Sequence, residues 1–221
     1  MTRKRSGSYV WVTWLSRLMA GEVQCAWAPW FRSHYTGYAR SPSDFQLAQW
    51  QAEHTQLLLE LESERELAGE SVYKESQNRF QVRWPNRLVV GGTPDLIAVN
   101  HDGEAVVYDV KTGQPRHSDL LQVMLYMLCL AAGSPMYKGK ALRGCIVYKN
   151  GDRTHIPPEA TDAAFRKNAR YFLDLLDAET PPKRRPTVHE CRYCDITAAD
   201  CPERVMGGSD DPEEEIPTVD W

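Results

Sequence analysis

The 221 residues carry 26 Lys and Arg against 30 Asp and Glu, a net charge of −4, with 42% hydrophobic and 25% charged residues; this is the composition of a globular chain with a sizeable core, not of a disordered one. The longest mainly apolar stretch, 120–132, is too short to cross a bilayer and holds Gln122, so a membrane-spanning reading is excluded. Six acids and no Lys or Arg lie beyond residue 206, which leaves 26 cations against 24 anions over 1–206: a mildly basic body in which Lys183-Arg184-Arg185 could meet phosphates.

Arg3-Lys4-Arg5 precedes a minimal apolar run with no clear small-residue cleavage site, so a cytoplasmic protein is expected. Residues 1–43 are read as an N-terminal arm. Residues 44–69 predict a long helix with Asp44 as N-cap, Phe45, Trp50, Leu57, Leu58 and Leu61 as its apolar set, and Gly69 as its stop. Three strand-like runs follow, at 79–84, 88–99 and 104–112. Gly91-Gly92 and Pro94 break the second, where a bend is expected with pairing resumed at Asp95. Asp102-Gly103 signals a hairpin between the second and third.

A second helix at 118–132, apolar nearly all round, should be buried and end at Gly133; a strand at 142–148 and a third helix at 159–178 complete the pattern. The order helix, three strands, helix, strand defines an α/β core over 44–180. Beyond it lie a cysteine-bearing segment at 181–206 and a Gly/Asp/Glu/Pro tail at 207–221 whose composition predicts disorder.

In the strand at 104–112, Val107, Asp109 and Lys111 share one face. Asp and Lys are poor strand residues, so two on one face need a reason. Asp95 begins the hairpin partner, so two carboxylates and an amine converge at one end of the hairpin. Carboxylates so close repel unless a cation joins them, and Mg²⁺ or Mn²⁺ with oxygen ligands supplies one. A surface ion pair of Asp109 with Lys111 is the simpler alternative. Gln122 and Tyr126, four apart on the apolar helix, share one face and need polar partners, which the end of the adjacent strand can provide.

His54, Gly92-Thr93-Pro94-Asp95, Asp109-Val110-Lys111 and Gln122-Val123-Met124-Leu125-Tyr126, in this order, resemble the PD-(D/E)XK nuclease superfamily, and within it the RecB-like exonuclease clade. The resemblance implies an αβββαβ core of the restriction-endonuclease type, with a mixed central sheet flanked by helices. It implies that Asp95, Asp109, the carbonyl of Val110 and His54 hold one or two divalent ions, with Glu53 the alternative to His54. Lys111 would orient the attacking water, and Gln122 and Tyr126 would steady Lys111 or touch the DNA backbone.

Cys191-Arg192-Tyr193-Cys194 is a C-x-x-C followed by Cys201, with a distant Cys25; in a cytosolic chain this spacing favours metal over disulfide. A single knuckle points to an iron-sulfur cluster more than to zinc. One cysteine ahead of the core and three behind it is similar to the layout that holds a 4Fe-4S cluster in the AddB nuclease domain and in the CRISPR-associated nuclease that trims spacers. Such a cluster would join the two ends of the chain and stabilise it. Cys129 and Cys145 read as core packing. The aromatic and cationic segment 27–35 could stack single-stranded bases or pack against the cluster.

The expected activity is divalent-metal-dependent DNA exonuclease cleavage in recombination, phage metabolism, repair or CRISPR adaptation, on DNA ends or single strands, with a protein partner or a homo-oligomer both compatible. The alternatives are a non-catalytic DNA-end-binding subunit scaffolded by the cluster, and a zinc-stabilised interaction module. No base-reading motif points to sequence specificity.

Overall fold

A computed structural model describes residues 1–42, 46–84 and 87–205. The chain runs β1 (Arg3–Lys4), β2 (Tyr9–Trp11), α1 (Val12–Met19), α2 (Trp27–His34), β3 (Tyr35–Thr36), α3 (Leu47–Leu67), β4 (Ser71–Lys74), β5 (Phe80–Arg83), β6 (Val89–Gly92), β7 (Leu96–Val99), β8 (Ala105–Lys111), α4 (His117–Gly133), β9 (Arg143–Tyr148), β10 (Arg153–Ile156), α5 (Ala163–Asp177) and α6 (Val188–Arg192).

A five-stranded sheet in the order β10-β9-β8-β7-β4 forms the centre. Its pairs are antiparallel except β8 with β9, the parallel step that α4 bridges. The turn at Asn100 to Gly103 closes the expected hairpin, with Gly103 at φ +79°, and sets the register Leu96 to Tyr108. Alternation along β8 sends Tyr108 and Val110 to a cluster with Leu58 and Leu61 of α3, while Val107 faces the other layer with Val123 and Met127 of α4. The sheet is therefore packed between α3 and α4. Helix α4 can sit there because it is apolar on nearly every side, with Leu121, Val123, Leu125, Met127 and Leu130 all buried.

The αβββαβ order holds, but its first strand is not the expected one. Ser71–Lys74, directly after α3, pairs with β7 at the edge of the central sheet. The run at 79–84 belongs instead to a separate three-stranded sheet, β2-β6-β5, in which β2 lies parallel to β6. The break at Gly91-Gly92 is thus a change of sheet, not a bend within one strand, and pairing resumes at Leu96. Gly92 is required there: a Cβ would stand 2.7 Å from the rings of Phe80 and Tyr126. β10 extends the far edge and was not signalled by the sequence pattern.

Asp44 and Phe45 fall outside the described residues, as does the tail at 207–221. Trp50, expected among the apolar set of α3, is 39% exposed. Residues 1–42 add Val10, Leu15, Leu18, Trp30 and Phe31 to the main core. Helix α5 starts at Ala163, not 159, because a 3₁₀ turn at Pro158–Thr161 precedes it and Asp162 caps it by accepting from Phe165 N–H. Cys129 and Cys145 are buried, as expected of packing residues. Among the described residues no helix is long and apolar enough to cross a membrane.

One side-chain strap ties α3 to the far edge of the sheet: the Arg153 guanidinium donates to both Glu64 carboxylate oxygens, at 2.8 Å to Oε1. The Arg153 hydrogen bonds hold the Glu64 carboxyl down at about 2. A depressed carboxylate pKa adds stability above the unfolded value, lost as pH falls through the folded one. Glu64→Gln should therefore lower stability at neutral pH by less than about 1 kcal/mol, since the pair is partly exposed. The deficit should fade between about pH 4.5 and 2 in denaturant titrations followed by circular dichroism.

Candidate active site

Strand β8 delivers Asp109 to the α4 side of the sheet at 1% exposure, a poor place for a carboxylate. Two groups compensate, and a third steadies one of them. Gln122 Nε2, from α4, donates to Asp109 Oδ1 at 2.8 Å. The Lys111 ammonium lies 2.6 Å from Asp109 Oδ2 and 3.4 Å from Gln122 Oε1. The same Gln122 amide donates to the Tyr126 hydroxyl at 3.1 Å. Gln122 thus finds its polar partners at the strand end as expected, whereas Tyr126 finds its partner in Gln122, four residues away on the same helix face.

Asp95 stands at the start of β7, where its Oδ2 accepts from the Val110 backbone N–H at 2.8 Å. His54 of α3 reaches the same oxygen from the other layer, with Nε2 at 3.4 Å, and stacks at a tilt against Trp50 with ring centroids 5.0 Å apart. Glu53, the alternative, is turned away and accepts from Lys149 Nζ at 2.9 Å. His54, Asp95, Asp109, Lys111, Gln122 and Tyr126 line one open cleft of about 1060 Å³, which also holds Glu75, Arg79, Arg116 and Asp119.

The electrostatics follow from burial. Burial pushes the Asp109 carboxyl up to about 7, against the pull of Lys111 and with a further push from Asp95. Burial works against the Lys111 ammonium, but Asp109 outweighs it and its pKa rises. Burial raises the Tyr126 phenol well above its ordinary range, so it remains neutral. The hydrogen bond to Asp95 raises the His54 imidazole.

Two acids of the cleft escaped the sequence reading. Asp119, 7% exposed, accepts from the Arg116 backbone N–H and from the Tyr148 hydroxyl, and its Oδ1 lies 3.9 Å from Lys111. A carboxylate in the first turn of a helix reads as an ordinary capping residue, which is also what it is here. Glu75 adopts φ +29° with its N–H bonded to the Asp95 carbonyl, a placement that no local pattern announces.

The cysteines converge elsewhere. Cys25, Cys191, Cys194 and Cys201 line one cavity of about 90 Å³ together with Arg32, Arg184 and Arg204. Arg32 is fixed there by Asp195, and Arg185 N–H donates to Cys25 Sγ at 3.5 Å. Arg17 and Glu22 line both this cavity and the cleft. Among the described residues, no group of three or more His, Cys, Asp or Glu side chains is arranged to hold a metal ion. Trp27, Trp30 and Phe31 are buried, so these three rings pack and offer no face to a base.

A family model described as the PD-(D/E)XK nuclease superfamily matches residues 6–201. The chain belongs to this superfamily. Nuclease activity on DNA is the general property of the superfamily, Mg²⁺ or Mn²⁺ its usual cofactor, and the mixed sheets with helices on both faces agree with its fold. No curated protein matches the sequence. A solved structure titled "Crystal structure of SSO0001" is similar at 15% identity and TM-score 0.47, over 92% of this chain and 90% of that one, a likeness too distant to speak to the site.

The buried pair makes a stability prediction independent of activity. Lys111→Met takes the cation from the buried Asp109 carboxyl, which then stays buried only by taking up a proton, and should cost about 3 kcal/mol. The double variant Asp109→Leu/Lys111→Met should recover most of that loss in urea denaturation. Equal stability of the single variant and the parent would mean that the pair is not coupled.

Proposed function

We propose that this PD-(D/E)XK chain is a divalent-metal-dependent DNA exonuclease of the RecB-like kind, acting in recombination, repair or CRISPR adaptation. The observation that carries the reading is the state of Asp109: a buried carboxylate whose Oδ2 has no well-directed hydrogen bond and has drawn in a cation, the Lys111 ammonium, in an open cleft beside Asp95 and His54. Carried on a flexible four-carbon stem, the ammonium can swing aside and leave its place to a metal ion. Asp95, Asp109, the Val110 carbonyl and His54 would hold it, with waters completing the shell of a hard cation that uses few protein ligands. Such an ion would polarise the scissile phosphate and lower the pKa of a water.

The chain's own residues do the rest. Lys111, freed from Asp109, offsets phosphate charge and orients the water; Gln122 Oε1 and Asp119 Oδ1 are its remaining acceptors. Tyr126 keeps the Gln122 amide aimed at Asp109. Val110 N–H fixes the Asp95 carboxylate. Asp109→Ala, Lys111→Ala and Asp95→Asn should each abolish Mn²⁺- or Mg²⁺-dependent digestion of linear DNA, while His54→Ala should reduce it and Glu53→Ala should not. Undiminished digestion by purified Asp109→Ala and Lys111→Ala would sink this mechanism, and binding without any cleavage in the parent would favour the end-binding alternative.

For the second site we propose that Cys25, Cys191, Cys194 and Cys201 hold a 4Fe-4S cluster. Support comes from the donor set itself: four thiols from both ends of the chain around one arginine-rimmed cavity suit an anionic thiolate cluster. Its role is structural, added to ties that already join the termini, such as Arg32 with Asp195 and the bridge of Arg40 with Ile196. Protein purified without oxygen should be brown, with about four irons and four sulfides per chain. Cys25→Ala should lose the colour and some stability, and Cys129→Ala should keep it. Colourless protein with stoichiometric zinc would replace the cluster with zinc and leave the nuclease proposal standing.

A further inference from the structure

The small sheet has two faces of opposite character. Val10, Val90, Phe80 and Val82 point into the main core. The register Tyr9 to Val89 to Arg83 and Trp11 to Gly91 to Gln81 puts the alternate set on the outer face. Tyr9 and Trp11 are only half-buried there, with rings 5.5 Å apart and edge to face. Gly91 leaves the room: a Cβ at that position would lie 1.9 Å from the Tyr9 hydroxyl, so glycine lets this ring lie across the strands.

Cations surround the two rings. Arg5 lies over Tyr9 at 5.7 Å and Arg79 over Trp11 at 5.9 Å, while Arg83 and Arg87 are exposed beside them. None of the four arginines has an ion-pair partner among the described residues. Four uncompensated guanidiniums around two aromatic faces are unusual in a chain whose net charge is negative. Arg79 also lines the nuclease cleft, as does Thr13, two residues beyond Trp11, so the face and the cleft are continuous.

We infer that the outer face of β2-β6-β5 is a binding platform for single-stranded DNA leading to the cleft, an inference that rests on the nuclease reading of that cleft. Bases stack on Tyr9 and Trp11, which lie two residues apart on one face of β2. Arg5, Arg79, Arg83 and Arg87 leave the rings and the solvent for the phosphates. An intact duplex cannot use the rings, because its bases are already stacked on one another. The platform therefore selects the unpaired strand next to the scissile phosphate.

The test is binding of a fluorescein-labelled oligothymidine in chelator, read by anisotropy, where no metal-dependent cleavage can contribute. Arg83→Glu/Arg87→Glu, two exposed positions that leave the core untouched, should weaken binding at least about tenfold, and the neutral Arg83→Gln/Arg87→Gln should flatten the salt dependence. Trp11→Ala should weaken binding by about 5- to 150-fold and Trp11→Phe much less. Unchanged affinity in the double charge reversal, or a duplex of equal length binding as tightly as the single strand, would overturn the platform. Because the assay excludes metal, it stands apart from the digestion assays: loss of cleavage in the parent refutes the nuclease mechanism, and unaltered oligothymidine binding in the variants refutes the platform.

Discussion

The site depends on one costly placement, a carboxylate at 1% exposure in the middle layer of the fold. An isolated charge there would cost several kcal/mol, so the surroundings must supply either a cation or a proton. The architecture keeps both within reach. Lys111 lies two residues on along the same strand face and supplies the cation. The Gln122 amide arrives from α4 and occupies the other oxygen. Asp109 is thereby held ionisable yet incompletely satisfied, which is what the proposed divalent-ion site needs.

That placement also explains the packing. For Gln122 and Tyr126 to reach the end of β8, α4 must lie flat on the sheet, which is why its remaining surface is apolar and why Gly144 and Gly92 stand beneath or beside it: a Cβ on Gly144 would come within 2.5 Å of Val123. On the opposite layer α3 packs mainly through Leu58 and Leu61, with Leu57 at their edge, and another part of its length carries His54 and Trp50 to the rim. Stability and chemistry are divided between helices: α4 is mostly core with two polar groups, and α3 is mostly surface with two leucines.

The termini form a second, separate device. Arg32, Asp195 and the Arg40 to Ile196 bridge bring the first forty residues against the last described ones, and the four cysteines meet where these segments cross. Glu22 extends the arrangement to the cleft, accepting from Ser118 N–H at the start of α4. The short segment between α1 and Cys25 is thus a shared wall of the cysteine cavity and the Asp109 cleft.

Local rules were enough to single out Asp95, Asp109 and Lys111, because period-two alternation and residue type are properties of a few neighbouring positions, and a buried strand has no ordinary use for paired charges. The same holds for Gln122 and Tyr126 on an apolar helix and for the C-x-x-C spacing. The sequence also determined the core order of helix, three strands, helix and strand, although β4 and β10, each four residues long, carried no periodicity of their own. What it could not determine is which strands share a sheet. β4 displaced the run at 79–84 from the central sheet, β2 joined β6 in parallel across some eighty residues, and a single apolar stretch split at Gly92 between two sheets. Such pairings are decided by long-range packing of faces, which no local window contains. For the same reason the outer face with Tyr9, Trp11 and the arginines, and the approach of Asp119 to Lys111, exist only in the tertiary structure: their members are ordinary surface or capping residues until the fold brings them together.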